Sequence, residues 1–452
     1  MRGKKFSIGL RALAIVAVTL LVTSTWAATN WREKVLHNFG NGTDGVEVYA
    51  GLVRDAAGNL YGTTYQGGTG SNCGVGGCGT VFELIPTGGG WTEQVLHNFN
   101  NDGTDGFLPY AGLILDAEGN LYGTTVLGGT YGPGTVFELS PTAGGGWTEQ
   151  VLYSFCPQTN CPDGSIPYAG LVFDAAGNLY GTAEEGGTYG YGTVFKLSPG
   201  NPWTETVLYS FCAQTNCTDG GLPDAGLIFD AAGNLYGTTR SGGDYGGGDA
   251  GPGTVFELTA AGTETVLHSF GYFPTDGLFP YAGLTFDTAG NLYSTTIAGG
   301  SHLYGTVFKL TPAGGGIWTE QVLHSFSNNG TDGFNPSAGL IFDAAGNLYS
   351  TTSEGGAYNY AGTVFELSPA GGGNWTETVL YNFGANGQYD GSGPRAGLVS
   401  DAAGNLYGTT AGGGIYSCVY SCGTVFELTP LYPCAVCSHA ADRELNVLPV
   451  ER

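Results

Sequence analysis

Charge is scarce in this sequence, and positive charge scarcest: of 452 residues 11% are charged, with 13 Lys and Arg against 38 Asp and Glu. A soluble domain ordinarily carries about 25% charged residues. Without a basic face, nucleic acid is excluded as an expected partner. Long apolar runs are missing too. A membrane-crossing helix needs about 20 such residues, and the longest run, Ala12 to Val22, has 11. Glycine is what the sequence has instead, at 83 residues, and each costs a helix about 1 kcal/mol relative to Ala. Helical bundles are therefore excluded, and the absence of a three-residue glycine period excludes collagen. Aromatics at 13% argue against disorder. What remains is an all-β protein rich in tight turns.

Arg2, Lys4, Lys5 and Arg11 precede the Ala12 to Val22 run, and Thr25-Trp26-Ala27 supplies small residues for cleavage. This pattern predicts a signal peptide over residues 1–27, with a retained N-terminal anchor as the alternative. Its removal takes four basic groups and no acid, moving the formal charge from −25 to −29. The expected location is secreted or periplasmic, or at the cell surface.

Beyond the leader the chain repeats. The segment Ala111-Gly112-Leu113 through Asp116 to Gly119-Asn120-Leu121-Tyr122-Gly123-Thr124-Thr125 recurs with its Asp at Asp55, Asp116, Asp174, Asp230, Asp287, Asp343 and Asp401. Each copy is followed by Gly-Thr-Val-Phe, and a third element, Trp-Thr-Glu-x-Val-Leu-x-x-Phe, begins at Trp31, Trp91, Trp147, Trp203, Trp318 and Trp375, with Gly262 in place of Trp in the fifth. A period of 56 to 61 residues holding four β-prone segments fits a propeller blade. In the second unit these are strand A (residues 111–115), B (120–125), C (135–140) and D (147–155). The expected fold is a seven-bladed β-propeller of four-stranded blades over residues 28–430, followed by a short tail, 431–452. The repeat opens on a D strand, residues 31–39, and ends on a C strand, residues 424–429. The N-terminal strand is therefore expected to pair with the last blade and leave no open edge.

Strand order puts the Asp-x-x-Gly turns on one face and the B-to-C and D-to-A loops on the other, here called the top. B-to-C loops vary from 8 to 14 residues, and variation on one face of a regular scaffold marks a binding surface. Tyr49, Tyr110, Tyr168 and Tyr281 stand just before strand A, near the channel mouth, where other blades have Asp224, Ser337 and Arg395. Tyr131, Tyr189, Tyr245 and Tyr304 are among the tyrosines of the B-to-C loops. Amphipathic rings stack on sugars or anchor a protein surface, although they equally wedge blades together. Glu184 and Glu185 with Asp244 and Asp249 form an acidic cluster, a candidate for Ca²⁺ or simply a solvated patch; no other cofactor is expected.

The remaining acids follow the repeat and read as turn and surface chemistry, Asp capping its own turn. His37, His97, His268 and His324 share a strand position with Tyr153, Tyr209 and Tyr381 and read as aromatic fillers. The ten cysteines lie in close pairs, Cys73 with Cys78, Cys156 with Cys161, Cys212 with Cys217, Cys418 with Cys422 and Cys434 with Cys437. In an exported chain these predict disulfides. Two alternatives are a four-sulfur zinc site from the last two pairs and a redox pair at Cys434 and Cys437.

The motif Gly-Leu-x-x-Asp-x-x-Gly-Asn-Leu-Tyr-Gly-Thr-Thr with Gly-Thr-Val-Phe resembles the GloVer tandem-repeat proteins of bacteria, over residues 31 to 430. The resemblance implies an exported, often surface-anchored propeller. Residues 431–452 lack the apolar helix and basic residues of a sorting signal. No catalytic triad order, His-rich metal spacing or phosphate-binding loop stands out. The expected function is a non-enzymatic, monomeric binding scaffold for a glycan or a surface protein. The alternatives are a propeller hydrolase or lyase using Glu185 and Asp244, and a structural spacer.

Overall fold

The computed structural model describes residues 30–271, 275–418 and 421–431, apart from the side chains of Val75 and Asp249. Residues 31–430 make one compact unit; residues 1–30 with 431–452 make the other, of which Asn30 and Leu431 alone are described. The expected leader 1–27, the rest of the tail and the Cys434–Cys437 pair lie outside the described residues.

Seven four-stranded antiparallel sheets follow one another as blades, and no α-helix occurs among the described residues. The first blade shows the pattern: strand A at Val53–Arg54, B at Leu60–Thr64, C at Thr80–Thr87 and D at Gly90–Asn98. In the seventh sheet, Asn30–Asn38 pairs with Thr424–Leu431, which is followed by Leu406–Thr410 and Val399–Ser400. The chain's first described strand thus completes its last blade, as the repeat register predicts.

Strand A is shorter than expected. In the second blade Ile114–Leu115 alone is paired, because the preceding Ala-Gly is spent on neighbouring blades instead. A Cβ placed on Gly112 would lie 3.2 Å from the Gly51 carbonyl oxygen, and the same relation runs on through Gly170, Gly226, Gly283, Gly339 and Gly397 back to Gly51. This is a closed ring of seven glycines. Each preceding alanine carbonyl accepts a hydrogen bond from the first Thr of Leu-Tyr-Gly-Thr-Thr in the blade before, at 2.8 to 3.3 Å.

Packing between blades is equally regular. Phe39, Phe99, Phe155, Phe211, Phe270, Phe326 and Phe383 end the D strands. Each ring centroid lies 4.9 to 5.2 Å from that of the Phe of Gly-Thr-Val-Phe in the next blade. All fourteen rings are fully buried, and burying one is worth about 1.5 to 3 kcal/mol. At the bottom, Asp55 accepts from the Asn59 backbone N–H at 2.8 Å, from the Asn59 side chain at 2.9 Å and from the Tyr61 hydroxyl at 3.2 Å. The turn aspartates therefore cap their own hairpins.

The other repeated acids are not surface groups, contrary to expectation. The aspartates of the Asp-Gly pairs are buried, Asp219 at 0% exposure and Asp44 and Asp390 at 1%. Each holds the start of its D-to-A loop, as Asp163 does by accepting from the Cys156 N–H at 2.9 Å and the Tyr153 hydroxyl at 2.8 Å. Three histidines make the equivalent contact, His37 Nε2 lying 3.0 Å from Asp44, whereas His324 Nε2 stands farther off, 3.5 Å from Asp332. They are thus polar partners as well as rings packed edge-on against phenylalanine.

Four of the expected disulfides are formed, Cys73–Cys78, Cys156–Cys161, Cys212–Cys217 and Cys418–Cys422. The last removes two thiolates from the alternative four-sulfur zinc site. No helix among the described residues is long and apolar enough to cross a membrane.

Candidate functional site

Two positions in every repeat are brought together at the top of the ring: the residue before Ala-Gly-Leu and the residue after Thr-Thr. A residue in the left-handed region aims the first. Glu47, Leu108, Ile166, Leu222, Phe279, Asn335 and Gly393 have φ between 53° and 62°. Such angles are uncommon outside glycine and must be held by surrounding bonds. The bonds are visible. The Ile166 N–H donates to the Pro133 carbonyl of the preceding repeat at 2.9 Å, while its own carbonyl accepts from the Glu184 N–H at 3.0 Å. The same pair of bonds recurs at Leu222, which ties Arg240. Short ladders such as Gly333–Phe334 with Glu354–Gly355 reinforce the link between the two loops.

All seven residues preceding Ala-Gly line one cavity of about 670 Å³: Tyr49, Tyr110, Tyr168, Asp224, Tyr281, Ser337 and Arg395. Glu184, Arg240, Ile297 and Ser353, from the position after Thr-Thr, join them, as do Asn335 and Glu354. One wall is aromatic. Tyr49 stacks on Tyr110 with centroids 5.1 Å apart and planes 27° off parallel, and Tyr168 meets Tyr110 edge-on at 4.8 Å. Tyr65 closes the group behind them, 5.4 Å from Tyr49. The exposed Arg395 guanidinium lies 5.6 Å from the Tyr49 ring centroid.

Across the blade 3 to blade 4 boundary the lining is ionic. Arg240 binds Glu184 through Nη2 and Asp224 through Nε, the latter at 2.5 Å, and its guanidinium also covers the Tyr281 ring at 5.5 Å. Burial, reinforced by the Glu184 carboxylate, pushes Asp224 up to about 7 against the pull of Arg240. Burial raises Glu184 as well. The tyrosines stay neutral phenols, Tyr49 and Tyr168 being raised to about 12 chiefly by burial. The cavity thus offers flat apolar faces, phenol and amide groups, and two carboxylates sharing one guanidinium.

Other sequence candidates stand elsewhere. Tyr131, Tyr189, Tyr245 and Tyr304 are exposed, at 36 to 53%, and lie outside the cavity lining. The acidic cluster does not converge as expected for Ca²⁺. Glu184 turns to Arg240, whereas Glu185 and Asp244 are exposed and outside the lining. Asp249 sits on the short turn Gly248–Ala250, its side chain outside the described part. The close carboxylate pair of the cavity is therefore Glu184 with Asp224, not Glu185 with Asp244. A signal for Glu184 and Arg240 was present: the position after Thr-Thr (Thr-Ala in the third copy) reads Tyr65, Val126, Glu184, Arg240, Ile297, Ser353 and Ala411, different in every copy.

No protein of curated function matches the chain. Among solved structures, it is similar to a fungal alcohol oxidase of the AA5 family in complex with copper, at 16% identity over 88% of this chain and 77% of that one, with a TM-score of 0.49. A second is PorZ, a surface component of the type-IX secretion system of Porphyromonas gingivalis, at 14% identity, 85% and 47% coverage and a TM-score of 0.48. A third is a luciferin-regenerating enzyme, at 13% identity, 88% and 96% coverage and a TM-score of 0.41. None of the three is near enough to lend this chain an activity. The Gloeobacter/Verrucomicrobia repeat, in contrast, matches residues 21–172, 151–341 and 245–440. With the repeated motif running through all seven blades, the chain belongs to the Gloeobacter/Verrucomicrobia repeat family.

Proposed function

We propose that this propeller is an exported, non-enzymatic carbohydrate-binding protein whose ligand enters the tyrosine-walled cavity at the top of the ring. The observation that carries the reading is that the packed Tyr49, Tyr110 and Tyr168 wall and the Arg240, Glu184 and Asp224 group line one cavity. Apolar C–H faces of a sugar stack on such rings, while its hydroxyls find acceptors and donors among the polar groups of the same cavity. A volume of about 670 Å³ lies within the range of roughly 300 to 1,000 Å³ usual for small-ligand sites. Export is supported by the N-terminal pattern of Arg2 to Ala27 and by four disulfides.

A second reading has its own observation. Asp224, raised to about 7 beside Glu184, has the protonation behaviour of a general acid, which suits polysaccharide cleavage. A glycan array run alongside a polysaccharide degradation assay separates the two. Binding without turnover is the expected result. Turnover that disappears in Glu184→Gln or Asp224→Asn replaces the binding reading with the catalytic one.

A further inference from the structure

The blade boundaries carry a polar cluster that the cavity does not use. At each boundary three groups meet: the His or Tyr near the end of one D strand, the Asp of the following Asp-Gly, and the Glu of Trp-Thr-Glu on the next blade's D strand. Where the first group is Tyr, its hydroxyl donates to one oxygen of the Asp, as Tyr381 does for Asp390 at 2.7 Å. Histidine at the same place changes the chemistry, because an imidazole nitrogen is a ligand for transition metals and a phenol is a poor one.

Two of the histidine clusters have the compactness of a metal site. In His324, Asp332 and Glu377, one ligand atom from each residue lies within 4.8 Å of the others, and the same holds for His268, Asp276 and Glu320. The first cluster has a further property. His324 Nε2, Asp332 Oδ1 and Glu377 Oε1 are all buried and make no hydrogen bond, His324 Nε2 standing 3.5 Å from Asp332 Oδ2. Asp332 itself is 8% exposed. Three unsatisfied atoms, one from each residue, are costly unless something fills the space between them.

We infer that the boundary between the fifth and sixth blades binds a divalent transition metal ion, Zn²⁺ by ligand type, through His324, Asp332 and Glu377, with a parallel site at His268, Asp276 and Glu320. One imidazole and two carboxylates form a ligand set found at zinc, with a water in the fourth position. Their two negative charges balance the ion, so binding removes the repulsion between adjacent buried carboxylates. Tetrahedral zinc places its ligand atoms about 3.4 Å apart. From within 4.8 Å the side chains reach that spacing by rotation alone, with the β-strands in place. Calcium is disfavoured because it takes six to eight oxygens.

The repeat supplies a clean test, since the fold accepts Tyr at this position in three blades. Full mature protein, stripped with a chelator, is titrated with zinc chloride and followed by calorimetry and by metal analysis after desalting. The wild type takes up two equivalents, and zinc raises its melting temperature. His324→Tyr and His268→Tyr each lose one equivalent, or bind it at least about tenfold more weakly, with unchanged melting in the absence of metal. Loss in either single variant upholds the site at that boundary. A wild type that takes up no zinc, or a double variant that takes up as much as wild type, overturns the inference.

Discussion

Thr409 donates through Oγ1 to the Ala50 carbonyl at 2.8 Å, across 359 positions of sequence. It is the same bond that Thr63 makes to Ala111 between consecutive blades, so the seventh boundary is built like the other six. Closure rests on this bond, on the Phe39 N–H bonded to the Gly423 carbonyl at 3.1 Å, and on Phe39 packed against Phe82.

Thr409→Val keeps the shape but leaves the buried Ala50 carbonyl without its partner. A loss of about 1 to 3 kcal/mol is expected, measured by chemical denaturation. Deletion of residues 28–40 removes the whole closing strand and is expected to abolish cooperative unfolding of all seven blades. If such a truncation melts like the intact mature protein, the ring is not closed through this strand.

Stability should fall as pH rises through neutrality. Glu33 and Glu205 are raised from 4.5 to about 7, and Glu264 to about 8, first by burial and then by Asp390, Asp163 and Asp219 respectively. Tyr381 and Tyr209 pull Glu33 and Glu264 back only partly. A raised acid favours its neutral form in the folded state. Its contribution is complete below pH 4.5 and is lost as pH climbs through 7 to 8. The melting temperature should therefore drop by a few degrees between pH 6 and pH 8.5. The paired change Glu205→Gln with Glu264→Gln should flatten that slope; an equal slope in the variant contradicts the assignment.

Arg240→Met leaves Glu184 and Asp224 together without their cation. Because Arg240 is 27% exposed, the expected cost is about 1 to 3 kcal/mol rather than that of a fully buried pair. Adding Asp224→Asn and Glu184→Gln should restore most of it. Without such recovery, the guanidinium contributes through packing and not through charge.

Reduction of the disulfides should loosen loops and spare the ring. Each closes a loop of about six residues, worth roughly 2 kcal/mol by chain entropy. Circular dichroism should keep its β-sheet form in reductant while the thermal midpoint falls. Collapse of the sheet signal would show that the top loops hold the blades together.

Most of the architecture was legible because each repeat carries its own turn chemistry, and the register of the terminal strands indicated how the ring closes. Strand A was not, since Ala111-Gly112-Leu113 looks like a strand yet bonds to adjacent blades around the glycine ring. Half of the cavity was legible in the residue before Ala-Gly. The other half, Glu184 and Arg240, depends on a left-handed residue such as Ile166 or Leu222 reaching across to it. The burial of the acids is not legible in a single repeat, because Asp163 and Glu205 occupy turn-like and strand-edge motifs and come together only where adjoining blades meet.

The proposed carbohydrate binding rests on the aromatic wall of the cavity. Calorimetric titration of the strongest array ligand into wild-type, Tyr110→Ala and Tyr168→Ala proteins tests it directly. Loss of about 5- to 30-fold in affinity, at unchanged melting temperature, is predicted from the roughly 1 to 2 kcal/mol of a lost stacking contact. Equal affinity in all three proteins would remove the tyrosine wall from the site and contradict carbohydrate binding through it.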